Sequence, residues 1–231
     1  MERTVWLEEQ RRAAESDYDS DAATYDQDDP GISPTHRRFL TSLLQSCPPR
    51  GRILDVPCGT GKYFGMIVGA GREVAGVDQS AGMLAVAREK YPRVRTQKGS
   101  LQDLAFDAEF DAVLCVDAME HVSPEDWPSV IGRLRRALRP GAQMYLTVET
   151  KDEELLAAAF AQEEARGLPV VPGEYVQAGY YHYYPALGRV AAWLAEAGLD
   201  LVEDAHSEED GYGYYHALMR DRPPHQRTTT D

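Results

Sequence analysis

The chain has 231 residues, 43% of them hydrophobic, which suffices to bury the core of one domain, with or without an added cap. Its 24 basic residues face 38 acidic ones, and the net charge of -14 opposes attraction to nucleic-acid phosphates and anionic membranes, so neither is expected as a partner. Three widely spaced cysteines suggest neither a disulfide framework nor a zinc site. No apolar run approaches the ~20 residues of a membrane span, and the opening Met1-Glu2-Arg3-Thr4 has no signal-peptide character. A cytoplasmic monomer or homodimer is the expectation.

From Thr4 to about Ser16 the residues favour helix, and residues 1–32 read as a lid segment whose many aspartates belong to a solvated surface. Ser33-Pro34 then offers an N-cap and a proline at the first helical position, ahead of an apolar face of Phe39, Leu40, Leu43 and Leu44. Arg52 to Val56 is a strand running into a glycine loop, with a helix from about Lys62 to Val68. Glu73 to Val77 is a strand ending at Asp78, Ala81 to Lys90 a helix, Val94 to Gln97 a third strand and Phe110 to Val116 a fourth. Ser123 opens the next helix, with Asp126 answering it as a capping partner; Pro140-Gly141 stops that helix, and Met144 to Val148 is the fifth strand.

This alternation predicts an α/β fold, Rossmann-like and doubly wound, with a mostly parallel seven-stranded sheet and helices on both faces. After strand 5 it breaks: a helix from Glu153 to Arg166 and a tyrosine-rich stretch read as an inserted cap at about 151–184. A final helix ending at Gly198 leads to strands from Leu199 to Val202 and from Tyr214 to Met219. These complete a domain of residues 33–219, and 220–231 reads as a flexible tail.

The loop Asp55-Val56-Pro57-Cys58-Gly59-Thr60-Gly61 carries the chemistry. Its glycines permit a tight turn and bring backbone N–H groups close to a ligand. A nucleotide-triphosphate loop would need glycine in place of Val56 and serine or threonine in place of Tyr63, so that pattern fails. The dinucleotide fingerprint needs a third glycine where Phe64 stands, which leaves a partial match. Asp55 would be an odd neighbour for a diphosphate, yet it suits the methionine ammonium of S-adenosylmethionine.

Several segments together resemble the class I S-adenosylmethionine-dependent methyltransferases, the small-molecule branch in particular, over roughly residues 50 to 150 and more loosely to 219. They are residues 53–61, Gly76-Val77-Asp78-Gln79-Ser80 with Met83-Leu84, Phe110-Asp111-Ala112-Val113, Glu120-His121-Val122 and Leu138-Arg139-Pro140-Gly141. The resemblance implies S-adenosylmethionine as cofactor, held by Asp55, Pro57, Gly59, Gly61, Asp78, Gln79, Met83 and Cys115. Asp78 ends the second strand, 19 residues after Gly59, where a carboxylate accepts ribose hydroxyls. Ser100 and Leu101 stand in the segment that holds adenine, with serine where the family usually has aspartate. Tyr18 and Tyr25 resemble tyrosines that fold over the methionine end of the cofactor.

Methyl transfer to nitrogen or oxygen of a small acceptor is an in-line displacement, which needs alignment, exclusion of water and, in places, removal of a proton; it needs no metal in principle. His121 is the candidate base by position and pKa, with His182 and Glu149 as further catalytic candidates. Asp117 and the cap tyrosines Tyr175, Tyr180, Tyr181, Tyr183 and Tyr184 are candidate substrate contacts. Their aromatic faces and hydroxyls suit an amine or an aromatic acceptor. Three other readings compete: an enzyme that cyclises or cleaves S-adenosylmethionine, a nicotinamide oxidoreductase and a silent cofactor-binding subunit.

Overall fold

The computed structural model describes residues 1–27, 31–177, 180–209 and 211–223. The element order is α1 (Arg3–Asp21), α2 (Pro34–Ser46), β1 (Arg52–Asp55), α3 (Phe64–Gly69), β2 (Glu73–Asp78), α4 (Ala81–Lys90), β3 (Arg95–Lys98), β4 (Phe110–Cys115), α5 (Trp127–Ala137), β5 (Leu138–Thr150), α6 (Glu153–Ala165), β6 (Glu174–Gln177), β7 (Tyr180–Tyr183), α7 (Leu187–Glu196), β8 (Leu199–Glu209) and β9 (Tyr212–Asp221).

Seven strands form one sheet in the order β3-β2-β1-β4-β5-β9-β8, and β6 and β7 form a separate antiparallel hairpin after α6. β1 to β5 run parallel and β9 enters antiparallel between β5 and β8. Alternate residues of each inner strand feed opposite faces, so both faces are apolar and both are covered. Ile53, Ala112, Leu114, Tyr145 and Leu218 pack against Phe39 and Leu40 of α2, Phe64 and Ile67 of α3 and Leu84 of α4. Leu54, Val113, Met144, Leu146 and Met219 pack against Val130 and Ile131 of α5, Trp193 of α7 and the cap. Each of these buried side chains contributes about 1.5–3 kcal/mol relative to exposure. The first face also carries a polar chain: the Tyr145 hydroxyl lies 2.9 Å from His36 Nδ1 and 2.7 Å from His216 Nδ1, and Ser207 meets His216 Nε2 at 2.7 Å. One phenolic proton serves one ring, so the other ring donates to the phenol oxygen.

Most element ends fall where expected, and the departures have local causes. Ser33 caps α2 by accepting from the His36 amide, and Ser80 caps α4 through Met83. α3 starts at Phe64 because Gly61, in a left-handed conformation, prolongs the turn. α5 starts at Trp127 and leaves Ser123 in a turn: Pro128 fits the first turn of a helix, whereas in a helix begun at Pro124 its ring would meet a backbone carbonyl. β5 begins directly at Leu138, with an irregular register against β4 before Gln143. β8 and β9 run past the expected ends, with the acidic Glu203, Asp204 and Glu208 on the edge strand β8. Asp221 is buried, paired to Arg135 at 2.7 Å, rather than the start of a tail. The rest of the tail expectation, from 224 on, lies outside the described residues.

Candidate functional site

Strand order reverses between β1 and β4, and at such a switch point the carboxyl ends of the strands flank a crevice. α1 roofs this crevice, enclosing a cavity of about 470 Å³. Its floor is Val56 to Thr60 after β1, Asp78 and Gln79 after β2, Gly99 to Gln102 after β3, and Asp117 and His121 after β4. Met83 of α4 and Tyr18 and Tyr25 of the N-terminal segment complete the wall, together with Tyr181 of the cap.

The loop is built by mutual accommodation. Gly61 has φ +82°, and a Cβ there would lie 2.7 Å from the Phe64 ring, so both conformation and space exclude a side chain. Phe64, which stands where a dinucleotide fingerprint has glycine, is wholly buried beneath the loop; β2 makes room with Gly76, whose Cβ would come within 2.6 Å of the ring.

Asp55 is 1% exposed and neither carboxylate oxygen has a hydrogen-bond partner among the described residues. Burial first, and then the nearby Asp78, hold its pKa well above the usual carboxylate range. A buried carboxylate without a partner either takes a proton or waits for a cation. Asp78 is in a different position: Oδ2 accepts from the Gly59 amide and Oδ1 from the Ser80 amide, both at 2.8 Å. Burial raises its pKa while those amides work against the rise. Each oxygen keeps a lone pair for a ligand hydroxyl.

Ser100 donates its hydroxyl proton to Asp103 Oδ2 at 2.6 Å. The serine oxygen, polarised by that carboxylate, remains an acceptor. Asp117 has φ +50°, a left-handed conformation that costs a non-glycine residue about 1–3 kcal/mol, and this strain sits at the carboxyl edge of β4.

His121 has a defined tautomer. Its Nδ1 faces the carbonyl of Tyr181 at 3.3 Å, which only accepts, so Nδ1 carries the proton and Nε2 the lone pair. The Tyr18 hydroxyl donates to Nε2 at 2.9 Å. Burial, opposed by that carbonyl and by Glu149, lowers the imidazole pKa and keeps the ring neutral.

α1 is fastened along its length. Arg3 bridges Glu125 at 2.5 Å and Glu174 at 2.6 Å, Glu15 meets Lys98 at 2.6 Å, and Asp19 accepts from the Ser80 hydroxyl and the Gly82 amide. Just beyond the helix, Asp26 accepts from Thr60 and Lys90. Gly82 allows the close approach: a Cβ there would stand 2.9 Å from the Asp19 carbonyl oxygen. Gly82→Ala is therefore expected to displace α1 although alanine favours α4 itself. Faster hydrogen exchange in residues 3–21 with an unchanged global Tm would show it; unchanged exchange would refute the role.

Of the expected site residues, Tyr18, Tyr25, Pro57, Gly59, Asp78, Gln79, Met83, Ser100, Leu101, Asp117, His121 and Tyr181 line the cavity. Asp55 and Gly61 are not among its lining residues, though each directly adjoins one, Val56 and Thr60. Cys115 stands elsewhere: its side chain is in the core, where burial raises the thiol pKa, so the expected cofactor contact is corrected. Alternation along β7 turns Tyr181 and Tyr183 inward, into the same core cluster, and Tyr180 outward, and of the inward pair only Tyr181 reaches the cavity wall. Tyr183 packs edge-on against Trp127 in the core, Tyr180 is exposed, and Tyr175 lies beside Tyr184 under the Lys151 ammonium. None of these four lines the cavity. Glu149 and His182 also lie outside its walls, though His182 stacks near His121 with ring centroids 5.0 Å apart. Sequence reasoning missed Asp19 and Asp26, whose connecting role was hidden among other aspartates, and gave Glu120 no role of its own. The Ser100-x-x-Asp103 spacing was a signal that could have found their hydrogen bond.

A family model described as a methyltransferase domain matches residues 53–141. The ubiquinone biosynthesis O-methyltransferase of Xanthomonas axonopodis pv. citri is 30% identical over 184 residues, covering 74% of this chain and 71% of that protein. The one from Hahella chejuensis is 32% identical over 180 residues with the same coverage. In fold, the chain is similar to the 1,6-didemethyltoxoflavin-N1-methyltransferase of Burkholderia thailandensis, solved with its substrate and S-adenosylhomocysteine. That match has a TM-score of 0.70 at 18% identity and covers 93% of this chain and 90% of that one. A methyltransferase from Methanosarcina mazei matches with TM-score 0.68 at 16% identity, over 84% and 99%. With the orphaned Asp55 carboxylate fitting an ammonium and the roofed switch-point cavity fitting an adenosyl ligand, the chain belongs to the class I S-adenosylmethionine-dependent methyltransferases and S-adenosylmethionine is its cofactor.

Proposed function

We propose that this enzyme methylates a hydroxyl oxygen of a small, aromatic acceptor, with His121 as the general base and α1 as the lid. The observation that carries the reading is the neutral His121 ring, its Nε2 lone pair at the cavity wall already receiving a phenolic hydroxyl, that of Tyr18, at 2.9 Å. An acceptor phenol that takes the place of Tyr18 would make the same contact. The O-methyltransferase names of the relatives support oxygen over nitrogen.

Asp55 would hold the cofactor's ammonium, Asp78 its ribose hydroxyls, and Ser100 with Leu101 its adenine. When bound, the cofactor supplies a methyl group on a positive sulfur, open to in-line displacement. His121 Nε2 would take the hydroxyl proton of the acceptor as that oxygen becomes the nucleophile, and the imidazolium would pass the proton to solvent after transfer. α1 excludes water while the atoms align.

Incubating the protein with S-adenosylmethionine and a panel of phenols and catechols, with aromatic amines as controls, tests this by product mass spectrometry. A gain of one methyl on oxygen with equimolar S-adenosylhomocysteine is expected. Methylation confined to nitrogen, or consumption of the cofactor without an acceptor, would overturn it.

A further inference from the structure

Beside His121, the ends of β4, β5 and β7 gather polar groups for which the cofactor has no use. Glu120 is 6% exposed and Glu149 8%, and Oε2 of each has no hydrogen-bond partner among the described residues. Glu120 Oε1 lies 3.7 Å from His121 Nε2, and the Glu149 side chain bonds the Tyr184 hydroxyl. The nearby His182 ring leaves Nδ1 without a partner, as the buried Tyr63 leaves its hydroxyl. Such atoms cost free energy for as long as they stay unpaired.

The two carboxyls also oppose one another. Burial first, then Asp117, pushes Glu120 up to about 8; burial first, then Glu120, pushes Glu149 up to about 7. Around them stand Asp117, Tyr63, Tyr184 and Tyr214, with His121 and His182 neutral, the latter held down to about 4 mainly by burial. Lys151 is the nearby cation, and it sits over the rings of Tyr175 and Tyr184, 4.7 and 5.5 Å from their centroids.

We infer that this polar cluster beside His121 binds a positively charged amine carried by the methyl acceptor, with Glu120 and Glu149 as its anionic partners. The inference rests on the proposed acceptor reading and adds a substrate class to it. A neutral hydroxyl could satisfy one orphan oxygen but would leave the other unpartnered and bring no charge against which the carboxyls could ionise. An ammonium brings the missing charge, and its N–H donors suit the unpartnered carboxyl oxygens Glu120 Oε2 and Glu149 Oε2. The Tyr184 ring adds an aromatic face for the cation.

The test titrates the S-adenosylhomocysteine-saturated protein calorimetrically with paired probes that differ in one charge, tyramine against 4-ethylphenol and dopamine against 4-ethylcatechol. At pH 7.5 an amine is expected to bind at least about tenfold tighter than its neutral partner, with net proton release as Glu120 and Glu149 ionise. Glu120→Gln and Glu149→Gln should each shrink that preference, while the thermal shift given by S-adenosylhomocysteine persists and shows that the fold and cofactor site survive. Amines that bind no tighter than their partners, or a preference that outlasts both substitutions, would overturn the inference. So would displacement of the amine by magnesium chloride alone, which would make the cluster an inorganic-ion site. A neutral phenol methylated with no amine preference would leave the proposed function standing; loss of oxygen methylation itself would strike that reading instead.

Discussion

Replacing His121 with alanine is expected to lower kcat/KM for methyl transfer by about 100- to 10,000-fold, the range over which a placed general base acts. Binding of S-adenosylhomocysteine should weaken by no more than about tenfold. The variant loses one hydrogen bond to the lid through Tyr18, worth about 0.5–1.5 kcal/mol. The pH profile provides a second readout. A base works when deprotonated, and burial lowers the imidazole pKa, so the acidic limb of kcat/KM should fall below the ordinary histidine value of about 6.5. Steady-state kinetics across pH would check both, and a variant that retains full kcat/KM would remove His121 from the chemistry.

Asp55→Asn should move cofactor affinity and apo stability in opposite directions. Losing the charge that meets the ammonium is expected to weaken S-adenosylmethionine binding by about 10- to 150-fold, the equivalent of about 1.5–3 kcal/mol for a hydrogen bond to a charged group. Without ligand, the same charge is a burden. Because the folded pKa of Asp55 lies above its unfolded value of about 3.9, the native state holds its proton more tightly. The contribution of Asp55 to stability therefore declines as pH rises from about 3.9 through the folded pKa, and it stays unfavourable above that. Asp78, Glu120 and Glu149 share this sign, so the difference between native protein and variant isolates Asp55. Thermal melts at several pH values should show the variant as stable as the native apoprotein or more so at pH 8, with a smaller shift on adding S-adenosylhomocysteine. A variant destabilised in the apo state, with cofactor affinity unchanged, would refute the role.

The fold was legible because it depends on local signals. The apolar strands and Ser33 and Ser80 as caps are each decided within a few residues, whereas Pro140-Gly141, which read as a helix stop, lies inside β5. The floor of the cavity was legible for the same reason, since Val56 to Thr60 and Asp78 stand at the ends of adjacent strands. What stayed hidden depends on partners distant in sequence. Asp19 reads as one more solvated acid until its partner Ser80, 61 residues away, is placed against it. Five tyrosines within ten residues looked like one pocket, but the β6–β7 hairpin sends Tyr181 to the cavity, Tyr183 to the core and Tyr180 to solvent. Glu120 looked like a neighbour of His121 in a motif; its unpartnered oxygen and its proximity to Glu149 are tertiary facts.

The position of β9 separates the order of synthesis from the order of assembly. β8 leaves the ribosome before β9, yet it joins the sheet only through β9, which also pairs with β5. The nascent β5 therefore keeps an open edge until residue 221 has emerged, and an open edge invites pairing with other chains. The strands that carry the cofactor loop, β1 to β4, can pair in parallel before that point. Glu149 acquires its cross-strand neighbour Tyr214 only when the last hairpin docks, so the carboxyl end of β5 is completed after the strand ends that floor the cavity.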